Sequence, residues 1–350
     1  MRILIVKLGS IGDIVHTLPA VAAIKRSLPT VHISWVAEKR SAGILQGNPL
    51  IDRLIEIDTR SIRAGLIDET LRELKSQVRE LRAGKYDAAL DFQGLIKSAV
   101  VAKLSGAKQR WGFAGRALRE PASRILLTDA VRIPKQTHIV KKNLLLARRA
   151  LGIDISKTPR FPIAVDQDDQ KEASSIISRL GARFAILNPG GGWPTKLWDA
   201  SNYGRLADLI WERLHMPSVI VTGPNEAVLA DKAMGGNKTG KLITAEPSLK
   251  GFYALAQQAS VYIGGDTGPT HIAIAAGAPV VGIFGPTEWW RNGSIEPSDI
   301  CIERNDIGCR VDCHRRSCSN WICMDISVET VFDAVAKRVA IASSPNLINA

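Results

Sequence analysis

Asp13 is the first residue placed to do chemistry. It sits in Lys7-Leu8-Gly9-Ser10-Ile11-Gly12-Asp13-Ile14-Val15-His16-Thr17, with Lys7 and His16 as ionisable neighbours and Gly9 and Gly12 as turn residues. A carboxylate here can take a proton from a substrate hydroxyl. It can equally cap a helix start and gain from the helix dipole. A second stretch, Gly264-Gly265-Asp266-Thr267-Gly268-Pro269-Thr270-His271, ends an apolar run and opens a helical one. Pro269 suits the first helical position, and Asp266 or Thr267 suits the N-cap. Gly268 lets a ligand approach the backbone, and His271 adds a donor. Such a helix start binds phosphate, or is simply a well-capped buried helix.

Two further loops offer polar groups. Asn188 to Trp198 carries three glycines, then Thr195 and Lys196, whose ammonium is a point charge for phosphate. Thr222-Gly223-Pro224-Asn225-Glu226 places an acid that can accept from a ribose diol or serve as a first-turn helix acid. In the first half, Asp91-Phe92-Gln93-Gly94-Leu95-Ile96-Lys97-Ser98 precedes a helix. Lys97, Arg116, Arg119 and Arg124 form a basic group suited to an acidic ligand.

The elements that must position these loops follow a βαβ rhythm. Ile3–Val6, Ile33–Val36, Leu54–Ile57 and Tyr86–Leu90 read as strands, with helices over Leu18–Leu28, Leu66–Leu81, Gly94–Leu104 and His138–Leu151. Residues 110–135 read as irregular and Arg-rich. Pro159, Pro162 and Asp166-Gln167-Asp168-Asp169 mark a boundary, after which the rhythm restarts. Helix 169–180 comes first, then strands at Phe184–Leu187, Val219–Val221, Leu242-Ile243, Val261–Ile263 and Val280–Ile283. Val328–Ala342 is a last amphipathic helix. The expectation is an α/β chain with two doubly wound Rossmann-like domains, 1–165 and 166–326, followed by residues 327–350.

With 45% hydrophobic and 23% charged residues, the 350-residue chain is globular in composition. Its longest apolar stretch, Ile272 to Phe284, is short of a bilayer span, and the start does not read as a signal peptide. We therefore expect a cytoplasmic protein. The net charge of +12 is uneven: +15 over residues 1–165 and −3 beyond. That asymmetry suggests an acidic substrate or an anionic membrane surface. No helix-turn-helix or RNA-binding aromatic signature is present, so nucleic acid is not expected. Cys309, Cys313, Cys318 and Cys323 lie in one late segment with His314, and Cys301 stands apart. Their spacing lacks C-x2-C pairs, so loop packing is preferred over zinc or redox chemistry.

Taken in order, these motifs resemble glycosyltransferase family 9, the ADP-heptose:lipopolysaccharide heptosyltransferases. The pieces are Lys7…Gly12-Asp13…His16-Thr17-Leu18-Pro19, Asp91 to Ser98, Arg119-Glu120-Pro121, Pro189 to Trp198, Gly265 to His271 and Phe284-Gly285-Pro286-Thr287. The first-half motifs look most like heptosyltransferase I, and the cysteine segment more like heptosyltransferase II. The resemblance implies a GT-B fold, two domains facing across a cleft, with residues 327–350 returning to the first. It implies inverting, metal-independent transfer of heptose from ADP-heptose, with no cofactor and no metal ligand. The acceptor would be the Kdo region of an acidic, Kdo-lipid A type glycolipid or, in the alternative, a first heptose. Work would be done on the cytoplasmic side, peripheral to an anionic inner membrane. Asp13 would be the general base. Lys196, Thr195, Glu226, Asp266, Thr267, Gly268 and His271 would hold the donor. Lys7, His16, Gln93, Lys97 and Arg119 would face the acceptor. A nicotinamide-dependent oxidoreductase is the different-class alternative. Against it, the Gly9-x2-Gly12 loop lacks the G-x-G-x-x-G spacing and has Val15 where a third glycine would stand.

Overall fold

In the first half of the chain the central strand comes first. β1 (Arg2–Val6) pairs in parallel with β2 (His32–Glu38) on one side and β4 (Ala88–Asp91) on the other. β3 (Arg53–Ile57) extends the sheet beyond β2, and β5 (Gln109–Ala114) and β6 (Asp129–Arg132) extend it beyond β4, giving the order β3-β2-β1-β4-β5-β6. The computed structural model describes residues 1–58, 67–309, 313 and 315–343, with side chains undescribed at 67–74 and Arg116. Leu66, His314, residues 344–350 and the Arg116 side chain thus lie outside the description. Ile3, Leu4, Ile5 and Val6 are fully buried, as expected for a strand covered by helices on both faces.

The second half repeats the plan. β7 (Ala185–Asn188) lies between β8 (Ser218–Val221) and β10 (Val261–Gly265). β9 (Leu242–Ala245) and β11 (Val280–Ile283) with β12 (Ile300–Ile302) complete the order β12-β11-β10-β7-β8-β9, again parallel. The chain divides into two compact units between Ala164 and Val165.

Each sheet has one place where successive connections run in opposite directions. In the first it lies between β1 and β4, with Val6 in register with Asp91. In the second it lies between β7 and β10, with Gly264 in register with Asn188. Open α/β sheets bind ligands outside the strand ends at such switch points. The four loops with the strongest chemical signals leave β1, β4, β7 and β10.

Two findings correct the reading from sequence. Residues 110–135 are not irregular throughout: β5 and β6 lie there, joined through short 3-10 turns at Gly115–Ala117 and Pro121–Leu126. These outer strands carry interleaved polar residues because they are less enclosed than the central ones. The N-terminal loop enters a short helix, Ile11–Val15, before the longer Leu18–Ser27. The last helix, Val328–Ser343, packs on the sheet of the second unit. Val331, Val335 and Val339 join the core of the second sheet, and Arg338 Nε bonds Asp299 Oδ1 at 2.9 Å.

Candidate active site

In the first unit the site is built around Asp13, at the third position of its short helix. Oδ2 accepts the Ser10 N–H at 3.1 Å, so the capping role is real. Oδ1 is turned to cations: Lys7 Nζ at 3.4 Å and Arg119 Nη2 at 3.9 Å. The side chain keeps 15% exposure, enough to be reached. Burial alone would raise its pKa, but Lys7, then Arg119 and His16, and the Ser10 N–H outweigh it and hold the carboxyl down at about 2. Asp13 is therefore ionised at neutral pH and can accept a proton.

Lys7 is buried, and Nζ also donates to the Phe92 carbonyl at 2.9 Å. Burial lowers its pKa against the pull of Asp13. It ties the β1 and β4 loops together beneath the carboxylate, which makes it a support for Asp13. Gln93 is also committed, since Oε1 accepts the Leu8 N–H at 3.1 Å. His16 is buried, with its carbonyl accepting from Asn143 Nδ2 at 3.0 Å. Of the residues expected to meet the acceptor, Arg119 and Lys97 are the more open, at 53% and 45% exposed. Lys97 pairs with the buried Glu38 at 3.2 Å. Sequence reasoning passed over Asp91 as a titrating group. It is fully buried, and burial pushes it up to about 6 against the Gln93 and Gly94 N–H groups, the Ser98 hydroxyl and Lys7. Its signal was a lone acid ending an apolar strand.

In the second unit Lys196 reaches Asp266, 70 residues away. Nζ lies 2.6 Å from Oδ2, and on its other side it stands over the Trp193 ring at 4.4 Å. His271 Nε2 meets the second carboxylate oxygen at 3.2 Å. Burial would raise the Asp266 pKa, but His271 and Lys196 hold it far below the carboxylate range. Asp266 is thus a fixed anion that orients a lysine and a histidine at the mouth of the helix Gly268–Ala276.

Thr267 is the N-cap of that helix, in extended geometry. The first-turn N–H groups of Gly268 and Thr270 lack intrahelical acceptors, and Pro269 has none to satisfy. Asn188, at the end of β7, accepts from Thr267 Oγ1 at 3.4 Å and donates to the Val221 carbonyl at 2.7 Å, bracing the loop ends. Glu226 closes over the glycine loop: Oε2 accepts the Gly223 N–H at 2.8 Å. A Cβ on Gly190 would collide with this carboxylate. Thr195 faces the cysteine segment instead. Its hydroxyl donates to the Arg315 carbonyl at 2.5 Å, and its own carbonyl accepts Trp321 Nε1 at 2.9 Å. Burial pushes the Cys323 thiol up, and Cys309, Cys313 and Cys318 nearby push it the same way.

A lysine, a histidine and a glycine-opened helix start at a switch point suit a diphosphate, and an ionised carboxylate suits a hydroxyl nucleophile. Comparison with known proteins agrees. The profile of glycosyltransferase family 9 (heptosyltransferase) matches residues 74–321. The chain belongs to glycosyltransferase family 9. This family 9 chain is 27% identical over 321 residues to lipopolysaccharide heptosyltransferase 1 of Pseudomonas aeruginosa, covering 91% of this chain and 88% of that one. Among solved structures it is similar to the E. coli heptosyltransferase WaaC with ADP, at a TM-score of 0.78 and 24% identity, covering 97% and 100% of the two chains. It is also similar to E. coli ADP-heptose lps heptosyltransferase II, at 0.77 and 19%, covering 98% and 100%. The fold is of the GT-B type, and the family 9 chain is a glycosyltransferase.

Proposed function

We propose that this glycosyltransferase moves a heptose from ADP-heptose to the Kdo region of the lipopolysaccharide inner core, with inversion. The observation that carries this reading is the pair of switch-point sites. One holds an ionised carboxylate flanked by the buried Lys7 and the exposed Arg119, the other a lysine and helix start suited to a diphosphate. Asp13 accepts the proton as the acceptor hydroxyl attacks the anomeric carbon. The leaving ADP gathers charge, which Lys196, His271 and the Gly268 helix start stabilise more in the transition state than in the ground state. No cofactor is needed, and no metal for the chemical step, because these groups cover the diphosphate and its departure does not require strong protonation. Thr267 and Glu226 border the same site, and Glu226 is placed for a ribose diol. Arg119 and Lys97 meet acidic groups of the acceptor.

The acceptor is a lipid headgroup, so the first unit works against an anionic surface on the cytoplasmic side. Ile125, Ile96 and Val100 are exposed at 85%, 44% and 38%. They lie on the helix Ile96–Leu104 and the turn Pro121–Leu126 that packs along it, among Lys97, Lys103 and Arg124. An apolar tip in a basic rim is suited to peripheral membrane contact. Among the described residues no helix is long and apolar enough to cross a membrane. Ile125→Glu should weaken binding to anionic vesicles while leaving ADP affinity unchanged.

A heptosyltransferase II type transfer onto a first heptose is the second reading, favoured by the cysteine-rich segment and the nearly equal likeness to that fold. The test is a transfer assay with ADP-heptose and lipid A precursors carrying Kdo alone or Kdo plus one heptose. Transfer to the Kdo-only acceptor is expected. Transfer only to the heptosylated acceptor would establish the second reading, and transfer to neither would overturn both.

A further inference from the structure

Four cysteines that the transfer chemistry does not use meet at one place. Cys309, Cys313, Cys318 and Cys323 line a single cavity of about 30 Å³, together with Arg315 and Trp321. A space of that size holds one water or one ion. All four are free thiols, two exposed and two partly buried. Gly285 leaves room for Met324 and Cys323, since a Cβ there would collide with Met324 Sδ and stand 3.1 Å from Cys323 Sγ. Among its described residues the segment has one 3-10 turn, at Ile322–Met324. It is nevertheless fastened to the loop that carries Lys196, through the two Thr195 bonds and Arg316 stacked 5.1 Å from the Trp193 ring.

We infer that Cys309, Cys313, Cys318 and Cys323 form a tetrathiolate site for one thiophilic divalent ion of the zinc class, which fastens the 309–323 segment against the 193–196 loop. Four sulfur ligands select such an ion. Among the described residues no three His, Cys, Asp or Glu side chains already stand at coordination spacing. The sulfurs therefore draw in around the ion as it binds. Four thiols give up their protons to the solvent, and no oxidant is involved. The consequence for catalysis rests on the reading of the 193–196 loop as the donor loop. With the ion in place, Thr195 is held and Lys196 is presented to the diphosphate.

The test uses the full chain, purified under reducing conditions. After exhaustive dialysis it should retain close to one zinc per chain. Zinc should protect four of the five cysteines from alkylation, leaving Cys301 as the one that reacts. Cobalt added to the stripped protein should give thiolate charge-transfer absorption and the visible bands of a tetrahedral ion. Cys309→Ser with Cys318→Ser should lose both signals. Stripping wild type should weaken ADP binding about tenfold, restored by zinc. Wild-type protein that takes up neither zinc nor cobalt in stoichiometric amount overturns the site, as does a mass showing two disulfides in the reduced preparation. Stoichiometric zinc without any effect on ADP affinity would keep the site and remove its link to the donor loop. ADP binding by neither form would instead count against the donor reading.

Discussion

Lys7 Nζ stands 3.4 Å from Asp13 Oδ1, and the same ammonium is pinned to the Phe92 carbonyl at 2.9 Å. The contact joins the ends of β1 and β4, so the switch point of the first sheet and the charge state of its carboxylate are set by one side chain. The lysine is buried, which lowers its pKa, and Asp13 beside it pulls the other way. Asp13 in turn stays ionised because Lys7 is there.

Replacing Lys7 by Met removes the strongest force holding the Asp13 carboxyl at about 2. Burial then dominates, and the Asp13 pKa rises. The acid limb of the kcat/KM profile should move to higher pH, and activity at neutral pH should fall. An acid limb at the wild-type position would show that Lys7 does not tune the carboxylate.

Lys196→Ala should weaken ADP binding about ten- to a hundredfold, the size expected for a charge-assisted contact. It also takes the lysine partner from the buried Asp266, so thermal stability should drop measurably. Calorimetric ADP affinity equal to wild type would exclude Lys196 from the donor site.

Asp91 makes a prediction about pH and stability. Its folded pKa of about 6 is above the ordinary carboxylate value, so the folded state holds the proton more tightly than the unfolded one. The stabilising contribution is full below the unfolded pKa and is lost as pH rises through about 6. By linkage, a shift of roughly two units costs about 3 kcal/mol of unfolding free energy across that window. Asp91→Asn should remove this dependence while preserving acceptance from the Gln93 and Gly94 N–H groups. Denaturant titrations between pH 4 and 7 check it, and parallel curves for wild type and variant would contradict it.

The strand-end loops were legible because their signals are local. Glycine, proline and an acid after an apolar run define a turn and a helix start within about ten residues. The central strands were legible as continuous apolar runs, since both faces are covered. β5 and β6 were not, because they mix polar and apolar positions, nor was β12, which is only three residues long. Nor were the pairings that decide roles. Lys196 meets Asp266 across 70 residues, and Thr195 meets Arg315 across 120. No spacing rule reports either, so Thr195 and Gln93 read as ligand contacts although their main bonds are internal. Asp13 stood open between cap and base, and the structure shows why: one oxygen caps Ser10 while the other faces the cations. The valine stripe of the last helix reports that it packs, not on which sheet.

The most direct test of Asp13 as general base pairs turnover with nucleotide affinity in Asp13→Asn, which keeps the shape and the acceptor for the Ser10 N–H. Transfer from ADP-heptose should fall at least a hundredfold, while calorimetric ADP affinity stays within about twofold of wild type because the donor contacts assigned above all lie in the second unit. Near-wild-type turnover in that variant would contradict the assignment.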